Sequence, residues 1–156
     1  MSLLQFVCVF LLVCGAWRAP AGVAAAKHGI EERNVEDKMI ALTNKLIDTL
    51  ANGQVDESVN MFDPEAIISF EGYPPAIGKE AIHEVGEILA SKIGRVEKFY
   101  LDVAPLEEGA AFVYVLLGQK WYSHENELFH VSKELIIWRN TDDGYMVYRL
   151  MSNSNV

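Results

Sequence analysis

The sequence predicts an α+β fold in which helices pack on one face of a curved antiparallel sheet. Two observations carry this. Helical periodicity is confined to the first part of the chain, ending near Gly94, and strand-like segments fill the remainder. Segregation of helices from a run of strands is the pattern of an α+β domain rather than of alternating β-α units. The length, 156 residues, suits one domain with one hydrophobic core.

The first 26 residues stand apart from that core. Leu3 to Trp17 is almost wholly apolar, and RAPAGVAAA (18–26) then supplies the small residues that a signal peptidase needs. The run is shorter than the ~20 apolar residues of a membrane span and is interrupted by Arg18. The expectation is a signal peptide over residues 1–26, cleaved after Ala26 with Ala21 and Ala24 as alternatives, and a secreted domain over 27–156. Both cysteines, Cys8 and Cys14, lie inside the segment. The mature chain would therefore hold neither disulfide nor thiol nucleophile. Loss of Arg18 takes the formal charge from −9 to −10, a balance that disfavours nucleic acid and anionic membrane surfaces as partners.

From Glu31 to Asn52, Val35, Met39, Leu42, Leu46 and Leu50 recur every three or four positions, one stripe of an amphipathic helix closed by Gly53. A second, short helix is expected over Asp56–Phe62, ending at Pro64. Ala66–Phe70 reads as a strand, and Tyr73-Pro-Pro as a turn. Gly78 opens a third helix with Ile82, Val85, Ile88 and Leu89 on one face. Val96–Val103 alternates, with Phe99, Leu101 and Val103 on one side. Ala110–Tyr122 is apolar enough for burial on both faces, and Trp121, Tyr122 and Tyr114 supply aromatic area there. Glu127–Arg139 and Tyr145–Ser152 are joined by NTDDG, which has hairpin chemistry.

In order and spacing, LANGQVDESVNMFDPEAI (50–67), the GKEAI helix start (78–82) and the closing NTDDGYMVYRL hairpin (140–150) resemble the NTF2-like (SnoaL-like, DUF4440-type) superfamily across essentially the whole mature chain. Tyr145 stands where that hairpin usually carries a tryptophan. The resemblance implies a sheet wrapped into a cone around the helices, an apolar pocket at its open end, and in some members a dimer formed through the sheet's outer face. It also implies where a ketosteroid isomerase would keep its chemistry. The carboxylate base falls at Phe70, the helix-one tyrosine at Leu46 and the protonated aspartate at Ile136. All three positions are apolar. Glu71 is one residue from the base, which on a regular strand places it on the opposite face, with a one-residue bulge as the alternative that would turn it inward.

By period two, His130, Ser132, Glu134 and Trp138 share the face of Ile136. With a Thr141–Gly144 loop, Ile136 lies opposite Arg149 and Glu134 opposite Met151, so Glu134 and Arg149 become diagonal neighbours able to form a charge-assisted pair. The expected pocket is Leu46, Phe70, Glu134, Ile136, Trp138, Arg149 and Met151. The histidines His28, His83, His124 and His130 share no ligand spacing, so no metal is expected, and no cofactor is implied. The preferred reading is a secreted, non-enzymatic protein whose pocket binds a small apolar or weakly anionic ligand, associating as a homodimer. One alternative is an isomerase or hydro-lyase acting on a hydrophobic substrate through His130, Glu134 and Arg149. A second is an interaction module with a collapsed pocket.

Overall fold

The computed structural model describes residues 21–107 and 109–154. The greater part of the expected signal peptide, residues 1–20, lies outside the described residues. The chain divides between Arg33 and Asn34 into two units. Of the first, the backbone of residues 21–33 is helical. The second holds the core and the whole sheet.

Helix α1 (Ala21–Ala51) carries the expected stripe: Met39 and Leu46 are buried, and Val35 and Leu42 are partly so. It stops where Gly53 adopts a φ of +74°. Gly53 N–H donates to Leu50 O and Gln54 N–H to Thr49 O, the paired bonds of a Schellman cap that satisfy carbonyls left free by the last turn. Helix α2 (Val55–Asn60) follows at once. Strand β1 (Phe62–Phe70) then begins earlier than the sequence suggests, running through Pro64. Proline is tolerated there because the register against the neighbouring strand shifts between Phe62 and Ile67, so no ladder bond is asked of its missing N–H. Asp63 Oδ1 accepts Glu65 N–H at 2.8 Å inside this irregularity.

A short strand β2 (Ala76–Ile77) leads into α3 (Gly78–Ala90). Its buried stripe is Ile82 and Gly86. A Cβ at Gly86 would lie 2.9 Å from Val55 Cγ1, so glycine lets α3 approach α2 closely. Ile88, expected on the buried face, is 58% exposed; at ~100° per residue it points ~200° away from Gly86.

Strands β3 (Arg95–Pro105), β4 (Phe112–Tyr122), β5 (Leu128–Thr141) and β6 (Gly144–Ser154) form the antiparallel meander. The sheet order is β2-β1-β6-β5-β4-β3. The sheet is mixed, correcting the all-antiparallel expectation. The meander starts at the far edge and closes back on β1, and β6 docks beside it in parallel. Two sequence patterns also resolve differently. A register shift between Tyr100 and Asp102 makes Leu101 an extra residue in β3. Val96 and Tyr100 turn toward the core, while Phe99 and Leu101 are left exposed. Along β4, Val113, Val115, Leu117, Gln119 and Trp121 are buried and the intervening residues are only half-buried. One face is therefore core and the other is open in the single chain. The core joins α1, α3 and the inner sheet face through Met39, Ile82, Val115, Ile136, Trp138 and Val147, each buried apolar side chain contributing roughly 1.5–3 kcal/mol.

Candidate functional site

Between the helices and the inner face of the sheet lies an apolar cavity of ≈ 60 Å³. Its walls come from α1 (Leu46, Ile47), α3 (Val85, Leu89), β1 (Phe70) and β5 (Ile136), with Gln119, Trp121 and Glu134 forming a polar end. The three positions that the isomerase resemblance singles out, Leu46, Phe70 and Ile136, do converge on one cavity, and each presents hydrocarbon to it. Phe70 Cα pairs with Ser152, and Ser152 with Glu134, so one row of the sheet runs from the β1 end to the carboxyl. Glu71 is exposed beside this row, its Oε2 accepting Ser154 N–H at 2.9 Å.

Glu134 is 3% exposed. Its Oε2 accepts Gln119 Nε2–H at 2.8 Å, and Ser132 Oγ stands 3.5 Å from Oε1. Gln119 Oε1 in turn accepts the Trp121 indole N–H at 2.7 Å. That last bond fixes the amide: with its oxygen committed to the indole, the NH₂ end faces the carboxylate. Burial pushes the Glu134 carboxyl up to about 7, against the opposing pull of hydrogen bonds from Ser152 and Ser132. Removal from water penalises the anion, and among the lining residues there is no cation to compensate.

The expected ion pair with Arg149 does not form. The hairpin register holds as predicted from Thr141/Gly144 to Trp138/Val147, then shifts. Tyr148 is an extra residue, so Ile137 faces Arg149, Ile136 faces Leu150 and Glu134 faces Ser152. A one-residue bulge reverses which side chains point inward. Arg149 thus leaves the cavity for the outer face, where Nη1 donates to Glu65 O at 3.1 Å and the guanidinium lies 3.6 Å over the Tyr148 ring. Met151 follows it and is 44% exposed. Trp138 does point inward but is sealed in the core outside the cavity lining, its indole N–H without a partner among the described residues. His130 shares the face of Glu134, half-buried, its ring 5.2 Å from that of Trp121 and likewise outside the lining. Gln119 and Trp121 are functional candidates that sequence patterning does not single out. A lone glutamine at an inward position of an otherwise apolar strand is the one signal for them, since a buried amide needs a polar partner. Among the described residues no cluster of His, Cys, Asp and Glu could hold a metal ion.

No protein-family model matches the chain, and no curated protein matches it. Solved structures do. A ketosteroid isomerase-like protein from Erwinia carotovora atroseptica superposes with a TM-score of 0.63 at 15% identity, over 78% of this chain and 94% of that one. An NTF2-like protein with a cystatin-like fold from Novosphingobium aromaticivorans gives 0.63 at 15% identity, over 89% and 92%. A domain of unknown function with a cystatin-like fold from Nostoc punctiforme gives 0.67 at 14% identity, over 79% and 78%. The fold is that of these NTF2-like structures with a cystatin-like fold.

Proposed function

We propose that this chain is a secreted, non-enzymatic binding protein that holds a small, mainly apolar molecule between its helices and the inner face of its sheet. The observation that carries the reading is the cavity wall. Leu46, Phe70 and Ile136 meet there as hydrocarbon, so a ligand gains by leaving water and finds no set of groups arranged for proton transfer. The volume suits a compact molecule of a few heavy atoms. The apolar run Leu3 to Trp17 and the small residues preceding Lys27 support export. The open outer face of the sheet supports self-association.

One observation favours a second reading, an isomerase or hydro-lyase. A carboxyl held near 7 is suited to acid-base work at neutral pH. It stands alone, however, because Arg149 faces the other way and His130 is outside the cavity lining.

Native mass spectrometry of the chain recovered from the medium of a secreting host tests both readings. The expected species begins at Lys27, contains no thiol and carries a small apolar molecule. Val85→Phe, which narrows the cavity from α3, should release that molecule while leaving the fold intact. Recovery of the Met1 form in a membrane fraction would remove the export proposal. A turnover abolished by Glu134→Gln would exchange the binding role for catalysis.

A further inference from the structure

We infer that the cavity selects uncharged molecules that carry an oxygen acceptor, an ether, ester or carbonyl on a compact apolar body, and that Gln119 and Glu134 read that oxygen. This rests on the binding role proposed above and narrows it to a ligand class.

The polar end has donors to spare. Gln119 Oε1 takes the Trp121 indole N–H, and Glu134 Oε2 takes one Gln119 N–H. Ser132 stands over Glu134 Oε1. What is left over is donor capacity: the second N–H of the Gln119 amide and the proton of the Glu134 acid. A ligand acceptor satisfies these donors, whereas an apolar ring of the same shape leaves them unpaired, a cost that discriminates more strongly than apolar fit. Charge narrows the choice further. Among the lining residues there is no Lys, Arg or His to receive an anion. A cation would have to shed its water into hydrocarbon walls beside the positive end of the Gln119 amide.

Binding of such a ligand is linked to the Glu134 proton, because the acid donates to the ligand oxygen and the carboxylate repels it. The groups facing Glu134 do not titrate: Gln119 on β4, Ser132 on β5, Ser152 on β6, and apolar side chains such as Leu46 and Ile47 from α1 and Val85 from α3. His130, on the same face of β5, packs against Trp121 instead. The midpoint of about 7 for Glu134 therefore sets the pH range in which affinity changes.

Three five-membered rings of nearly equal shape separate the outcomes: tetrahydrofuran, cyclopentane and pyrrolidine, titrated into the full chain and followed by NMR. Tetrahydrofuran should bind more tightly than cyclopentane at pH 6. Its affinity should fall by roughly tenfold between pH 6 and pH 8, while that of cyclopentane stays flat. Glu134→Gln, which keeps a donor in place but cannot titrate, should retain the preference and flatten the profile. If tetrahydrofuran binds no better than cyclopentane, if pyrrolidine binds best, or if Glu134→Gln leaves the pH profile unchanged, the inference fails and the binding role stands. If none of the rings binds, both fail.

Discussion

At Glu134, folding trades water for a glutamine amide and two serine hydroxyls, and the exchange favours the neutral acid. The folded carboxyl titrates at about 7 and the ordinary value is 4.5. The folded state therefore binds more protons than the unfolded state between these limits. Stability is full below about 4.5, is lost as pH rises toward 7, and levels off above it. The gap corresponds to about 3 kcal/mol at ~1.4 kcal/mol per pH unit. Glu134→Gln removes the titration and keeps the shape. Its denaturant midpoint should be nearly flat between pH 5 and pH 8 where that of the parent chain falls, and at pH 8 the variant should be the more stable of the two. A parent midpoint that does not fall over this range would contradict the burial argument. Phe70 and Glu71 divide along the same line of burial. The ring lines the cavity, whereas the carboxylate is exposed and receives one backbone N–H.

The elements show what periodicity reveals and where it stops. The α1 stripe, the Gly53 stop and the Gly78 start are legible because each follows from local geometry: 3.6-residue spacing and a positive φ that glycine accommodates. The inward row through Ser132, Glu134, Ile136 and Trp138 is legible for the same reason, as period two persists along β5. Four irregularities are hidden: the shift around Pro64, the extra Leu101, the extra Phe129 and the extra Tyr148. A bulge is a tertiary choice about which residue to leave unpaired, and an alternating pattern carries no mark of it. The first of these irregularities has an identifiable brace. Asp63, 1% exposed, accepts Arg139 Nε–H at 2.9 Å from β5 while its other oxygen holds Glu65 N–H. Asp63→Ala should cost about 2 kcal/mol, in the range for hydrogen bonds to a charged group. Glu65→Ala, which removes an exposed partner of the same arginine, should stay within about 0.5 kcal/mol. Chemical denaturation of the pair checks the ordering.

For the molecule as a whole, the two faces of the sheet have different fates. The inner face is covered by helices. On the outer face Leu116, Leu135 and Met151 lie in one row across three strands, with Met151 substantially exposed, an apolar strip of the kind that seeks a partner. We propose a twofold homodimer through this strip. Sedimentation at micromolar concentration should give a dimer for the parent chain and a monomer for Leu135→Glu, since an unpaired charge at the centre of such an interface is costly; a monomeric parent would remove the proposal. The faces owe their contrast to Tyr148. Up to that residue β6 runs in one phase, and beyond it in the opposite phase. Taking Tyr148 into the ladder as an ordinary paired residue would act as a frameshift in space rather than in sequence. Arg149 and Met151 would swing under the helices, Leu150 and Ser152 would surface, and the neutral chamber would acquire a guanidinium opposite its acid. A single unpaired residue thus encodes both the absence of charge within and the arginine without, and the same residues in an unbulged strand would make a protein of inverted polarity on an unchanged chain.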